Sequence, residues 1–332
     1  MKRIIAVPIE SLEERYSANW ARWFPREFER LGVDFITINP RPLTDKINVG
    51  SFLDVIGTNY YKSMQTVYIC WLIRSDKITN DDIFFFADLW NPTIESLAYI
   101  RDGLGMRFKI TGCLHAGSYD PHDFLAKRGM GYWAEDIENG WFKIVDKIFV
   151  ATNFHKRLLT TTRKVDPKKV IVTGFPIYDE QKRQPKENIV VFPHRLDSEK
   201  NPHLFDLLIK EFPASKYKWI KTKDVCKTKQ EYYDLLERAR ISISFADQES
   251  WGIACLESLF ADCITLVPQR LSYVEMYNPL LQFADFNQAI SLISHAMFNP
   301  EDFDEIMYND REKHLKQGAV AIENMVKECL SC

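Results

Sequence analysis

Short apolar runs alternate with helix-patterned stretches along most of this chain, and after one polar interruption the alternation begins again. Apolar runs fall at residues 3–7, 34–38, 83–87, 108–114, 147–151 and 170–173. Helical patterns separate them at 17–31, 52–73, after Pro92, in a stretch ending near Val145, and at 153–161. This rhythm predicts parallel strands joined by crossover helices, because a strand that is apolar on both faces needs helices to cover both.

The interruption spans 176–188, where Asp179, Glu180, Gln181, Lys182, Arg183 and Gln184 lie between Pro176 and Pro185, and it reads as a linker. The rhythm resumes with apolar runs at 189–192, 217–220, 241–246 and 264–267 and helical patterns at 202–212, 229–239 and 252–260. A chain of 332 residues is about two domains long. The expected organisation is a Rossmann-like domain over 1–175, a linker over 176–188, and a second Rossmann-like domain over 189–300. A helix from 301 to 332 is expected to pack back on the first domain. Ligands belong beyond the carboxyl ends of the strands, in a cleft between two such sheets.

Composition narrows the class. At 46% hydrophobic and 27% charged, with 13 glycines and 15 prolines, the chain is neither collagen-like nor disordered. The longest apolar stretch, 67–73, is far short of a bilayer span, and Glu10 cuts the first apolar run too early for a signal-peptide core. A cytoplasmic protein with no membrane partner is expected. Seven scattered cysteines fit reduced thiols, and the Cys329/Cys332 pair at the chain end is read as structural rather than as a redox or zinc site.

Charge is uneven. From 151 to 230 there are 18 Lys and Arg against 9 Asp and Glu, a local +9 in a chain of net −3. Lysines 216, 218, 221, 223, 227 and 229 are its densest part, suited either to a phosphate backbone or to a solvated face.

The chemistry concentrates at Asp247-Gln248-Glu249-Ser250-Trp251-Gly252-Ile253-Ala254-Cys255-Leu256-Glu257. Strand 241–246 delivers Glu249 to its carboxyl end. The turn Ser250-Trp251-Gly252 then opens a helix whose first amides form an anion site. Glu257 lies about a turn and a half further on. A dehydrogenase is excluded, since no Gly-x-Gly-x-x-Gly turn follows a strand.

With two glutamates seven residues apart in this strand-turn-helix setting, the segment resembles the retaining GT-B-fold glycosyltransferases of family four. The resemblance implies that Glu249 contacts a donor sugar, that Glu257 binds ribose hydroxyls, and that Ser250, Trp251 and Gly252 hold a diphosphate without a metal or other cofactor. The stretch Phe192-Pro193-His194-Arg195-Leu196-Asp197-Ser198-Glu199-Lys200 is a second match, and by resemblance Arg195 and Lys200 neutralise the departing diphosphate. His115, at the end of a strand in Gly112-Cys113-Leu114-His115-Ala116-Gly117, matches a family histidine near the donor sugar. His122 and Asp123 nearby are not read as metal ligands. The resemblance implies a nucleotide-sugar donor, UDP before GDP.

The acceptor side departs from the family, because Pro8-Ile9-Glu10 replaces the usual glycine-rich loop. The opening, Phe86-Ala87-Asp88-Leu89-Trp90 and 115–120 are similar to DNA glycosyltransferases of tailed phages. The stretch 267–275 is similar to queuosine-tRNA glycosyltransferase-like proteins. The expected acceptor is the hydroxymethyl group of a modified pyrimidine in DNA. Alternatives are tRNA, a polysaccharide or lipid-linked sugar, or a non-enzymatic nucleic-acid-binding role. Trp90, Tyr119, Asp120 and Trp133 are acceptor candidates, and Tyr132 and Trp141 are further aromatics able to stack on a flipped base.

Overall fold

The computed structural model describes residues 2–11, 16–43, 54–213 and 216–332. The start of the helical pattern expected from residue 52 lies outside the described residues. Contacts divide the chain into two compact units. One comprises 1–151, 156–176 and 320–332, and the other 152–155 and 177–319.

The first unit holds a six-stranded parallel sheet in the order β2-β1-β3-β4-β5-β6. Its strands are β1 (Ile4–Val7), β2 (Phe35–Thr37), β3 (Ile83–Phe86), β4 (Lys109–Cys113), β5 (Lys147–Val150) and β6 (Val170–Val172). All four residues of β1 and of β3 are buried, which is why these strands read as unbroken apolar runs. The crossovers include α1 (Tyr16–Arg30), α2 (Val55–Arg74), α3 (Thr93–Leu104), α4 (Phe124–Lys127) and α5 (Gly131–Ile144). Asp54 caps α2 through the Gly57 amide, and Gly105, in the left-handed region, ends α3. Helix α6 (Asn153–Thr162) follows β5.

The second unit holds a five-stranded parallel sheet in the order β11-β10-β9-β7-β8. Its strands are β7 (Glu187–Phe192), β8 (Lys218–Lys221), β9 (Ala239–Ile243), β10 (Ile264–Pro268) and β11 (Gln282–Phe283). Strand β7 begins at Glu187, inside the stretch expected as linker, because its first two residues extend the exposed end of the strand. The helices are α7 (Pro202–Glu211), α8 (Thr222–Val225), α9 (Lys229–Arg238), α10 (Ile253–Phe260), α11 (Tyr273–Met276), α12 (Phe286–Phe298) and α13 (Asp304–Leu330). The last turns of α13 belong to the first unit, where Cys329 is buried against Thr111. Among the described residues no helix is long and apolar enough to cross a membrane.

Each sheet reverses its winding once. In the second the reversal falls between β7 and β9, and in the first between β1 and β3. Such switch points leave a crevice outside the carboxyl ends of the two strands, where loops diverge to opposite faces.

Candidate functional site

The loops leaving β7 and β9 meet at the switch point of the second sheet. They are laced together by the Asp247 amide donating to the Glu199 carbonyl at 2.8 Å. The Asn201 amide group adds bonds to the Phe245 carbonyl at 3.0 Å and Asp247 Oδ2 at 2.7 Å. Asn201 takes the left-handed conformation there, at φ 53°, and Pro202 starts α7 directly behind it.

This lacing aims Lys200 inward. Its side chain is only 6% exposed, and Nζ donates to the Gln248 carbonyl and to Glu249 Oε2 at 3.1 Å. Burial pushes the Glu249 carboxyl up, but the Lys200 charge and a hydrogen bond from the Gly252 amide outweigh it, so Glu249 stays ionised below its ordinary range. A buried pair of this kind costs desolvation, and it persists where further hydrogen bonds satisfy both ends.

The turn after Glu249 depends on glycine. Gly252 has φ 75°, and a Cβ there would lie 2.9 Å from the Tyr273 ring, so neither the backbone nor the space admits a side chain. No side chain caps α10, and the Cys255 and Leu256 amides both bond the Gly252 carbonyl. The amides of Ile253 and Ala254 therefore open the helix with no acceptor inside it, and the macrodipole adds partial positive charge. Beneath the turn runs a buried chain: His194 Nε2 to Ser244 Oγ at 2.7 Å, and Ser244 Oγ to the Tyr273 hydroxyl at 3.1 Å. Burial, with Lys200 assisting, lowers His194 to about 3, so it is a neutral bracing group.

Glu257 is 7% exposed on α10. Lys229 Nζ at 2.6 Å and the Tyr233 hydroxyl at 3.0 Å, both from α9, converge on its Oε1. The Lys229 ammonium also lies over the Tyr232 and Tyr233 rings. Arg195 is 38% exposed and turned to Asp197 at 3.2 Å and Glu199 at 3.0 Å. The second unit thus places Glu249, Ser250, Trp251, Gly252 and Glu257 along one strand-turn-helix, and the loop leaving β7 brings Lys200 against Glu249 and carries Arg195 nearby.

In the first unit, His115 follows β4. Since a carbonyl only accepts, the 2.8 Å contact with Ala87 O puts the proton on Nε2, and Nδ1 accepts from the Tyr16 hydroxyl at 3.3 Å. Trp20 and Phe175 pack on the ring at 4.9 and 4.8 Å between centroids, and burial lowers its pKa, keeping it neutral. Trp90 donates Nε1 to Glu138 at 3.2 Å and meets Trp133 edge-on at 6.2 Å. Asp120 is 9% exposed and accepts from the His122 amide. Burial pushes Asp123 up to about 6.

Two aromatic expectations are corrected. Tyr119 is 3% and Trp141 4% exposed, both in the core of the first sheet, with Trp141 Nε1 fixed to Glu95 at 2.9 Å. Neither presents a ring face to a base. Tyr132 is 85% exposed. Part of the basic stretch is committed internally. Lys169 and Lys186 cap carbonyls at the ends of α5 and α9, Lys200 and Lys229 pair with buried carboxylates, and Lys221 pairs with Asp206. Lysines 216, 218, 223 and 227 remain on the surface.

Several contributors escape a reading of the sequence. Lys229, Tyr233 and Tyr273 act on residues tens of positions away. So do Lys62, which bonds the Trp90 carbonyl beside Asp88, and the buried Glu138–Arg163 pair, which also holds Ser118. The i, i+4 spacing of Lys229 and Tyr233 marks one face of α9, but not what that face meets.

No protein-family profile and no curated protein matches this sequence. Solved structures do match in shape. A sucrose-phosphate synthase from Thermosynechococcus elongatus superposes at TM-score 0.73 with 10% identity over 98% of both chains. An α,α-trehalose-phosphate synthase (UDP-forming) from Burkholderia vietnamiensis gives TM-score 0.66 with 11% identity over 100% of this chain and 99% of its own. Anabaena HepE, in complex with UDP and glucose, gives 0.64 with 9% identity over the same shares. These are GT-B glycosyltransferases, and at such identities what they share with this chain is the fold: two α/β units, each on a parallel sheet.

Proposed function

We propose that this chain is a retaining glycosyltransferase that takes a sugar from a nucleotide-sugar donor, UDP-linked before GDP-linked, and moves it to a hydroxyl acceptor without a metal. One observation carries the reading. The buried Lys200–Glu249 pair, the uncapped start of α10 and Glu257 line up at the switch point of the second sheet, where a sugar, a diphosphate and a ribose would lie in that order. HepE, a structure of the same fold, holds UDP and glucose, which supports the UDP preference.

In this reading the helix start and Lys200 hold the diphosphate, and Arg195 exchanges its acidic neighbours for phosphate oxygens. As the anomeric C–O bond breaks, negative charge grows on the diphosphate and these fixed cations stabilise it. The acceptor oxygen bonds the same carbon, and its proton passes to the departing phosphate. Glu249, held ionised, accepts from sugar hydroxyls. Glu257 accepts from the ribose, since a carboxylate has room for more donors than the two on Oε1. Neutral His115 is suited to a sugar hydroxyl rather than to a phosphate.

For the acceptor we propose the hydroxymethyl group of a modified pyrimidine in DNA, in the cytoplasm of a host cell. The support is the resemblance of the first unit's loops to tailed-phage enzymes, together with the exposed Tyr132 and the half-buried Trp90 and Trp133. The test is nucleoside mass spectrometry after incubation with a nucleotide-sugar pool and, separately, hydroxymethylated DNA, unmodified DNA or bulk tRNA. A hexose or pentose mass gain confined to the hydroxymethylated base is expected. Gain on tRNA alone, or donor hydrolysis with no gain on any of these acceptors, overturns the DNA reading, and no consumption of any donor overturns the enzyme reading.

A further inference from the structure

Helix α2 is apolar where a surface helix should be charged. Over its 20 residues the only charged side chains are Lys62 and Arg74, and Lys62 is turned inward at 14% exposure. Gly57, Tyr61, Gln65, Ile69 and Leu72 form its buried face. On the outside, Ile56, Tyr60, Val67 and Trp71 recur at helical spacing and are 75%, 41%, 57% and 54% exposed, flanked by Val55 and Tyr68. With large side chains presenting roughly 150–250 Å² each when bare, these six expose on the order of 600 Å². That is the upper end of what monomers leave uncovered, and most of the roughly 800 Å² per partner of a standard protein interface.

We propose that this face is where two copies of the chain associate, α2 packing antiparallel on its symmetry mate about a two-fold axis near Ser63 and Met64. The residue pattern is self-complementary in that register. Ile56 meets Trp71 of the other copy and Tyr60 meets Val67, a smaller side chain against a larger one at each step, while Ser63 lets the helices approach at the axis. Depletion of charge with enrichment of Tyr, Trp and Met is the signature of an interface core. A helix resting on an anionic lipid surface needs a lysine- and arginine-rich flank, and here Arg74 is the one cation of the exposed face, with Lys77 stacked on the Trp71 ring at 4.5 Å. The pairing does not depend on the glycosyltransferase reading.

Light scattering on the full chain tests it. The expected mass is twice that of one chain at about 10 μM, and Val67→Glu, at an exposed position that leaves the core intact, should weaken association by at least ~30-fold. In a Cys70→Ser background, Ser63→Cys should join two chains through the introduced thiols on mild oxidation, which holds even if the charged variant misfolds. A chain monomeric at about 100 μM overturns the proposal. So does an unmoved equilibrium in Val67→Glu, or a monomer that instead binds phosphatidylserine vesicles.

Discussion

At the carboxyl edge of the second sheet, a lysine and a glutamate sit buried 3.1 Å apart in front of an uncapped helix start. At the carboxyl edge of the first sheet, the corresponding loops offer a neutral histidine hydrogen-bonded to Ala87 and Tyr16 and packed by aromatic rings. In the proposed function the first of these edges meets a compact multiple charge. The other meets hydroxyls and ring faces. Two parallel sheets thus acquire different chemistry from the loops at their carboxyl edges.

The largest effect expected from this division is on Lys200. Lys200→Ala removes a preorganised cation and strands Glu249, and should slow donor turnover by about 100- to 1000-fold, read as kcat in a sugar-nucleotide hydrolysis assay. A normal rate would remove the charge-meeting role from the second edge.

Next in size is a change in the first unit that should leave the donor untouched. Glu138→Ala removes the buried one of the two carboxylates facing nearly buried Arg163, with Glu135 left at 3.6 Å, and should cost about 3 kcal/mol in denaturant unfolding, with the affinity of the folded protein for UDP unaltered. Altered UDP affinity would blur the division between the units. Glu257→Ala should raise the nucleotide-sugar KM about tenfold through lost ribose contacts, with a smaller change in kcat. An unmoved KM would assign Glu257 to bracing α9 through Lys229 and Tyr233 alone.

Acidification acts more gently, through two histidines of the second unit. His194 is lowered to about 3 and His314 to about 4, both by burial. The unfolded chain binds these protons below about pH 6.5 and the folded chain refuses them, so the stability these two histidines contribute should fall as pH drops from 6.5 toward 4. Each residue contributes on the order of 1 kcal/mol per pH unit, and His194→Gln should flatten the Tm profile. A profile unchanged by that variant would mean His194 is not buried neutral. Smallest is Trp133→Ala, expected to reduce transfer to a nucleic-acid acceptor about fivefold while sparing donor hydrolysis. Equal loss of both would make Trp133 a packing residue.

The two edges also differed in how far they could be read in advance. Glu249 through Glu257 is contiguous, and a strand, a glycine turn and a helix start follow from local residue types, so that side of the second site was legible. The partner that buries Lys200 was not, because it depends on β7 and β9 being neighbours with Glu199 and Asp247 joined. In the first unit the contacts that join Lys62, Trp90, Glu138, Ser118 and Arg163 are long-range: Lys62 to Trp90, Trp90 to Glu138, and Arg163 to Ser118. Single residues there carry no local mark of their partners. Tyr119 and Trp141 show the consequence, since an aromatic beside a strand end is as able to fill a core as to stack on a base.

Calorimetric titration of UDP into the wild-type chain and into Lys200→Ala tests most directly whether the second edge is a nucleoside-diphosphate site. Saturable binding to the wild type, weakened by ~30-fold or more in the variant, is the predicted result. Equal affinity in the two proteins, or no binding of UDP or GDP to the wild type, would contradict it.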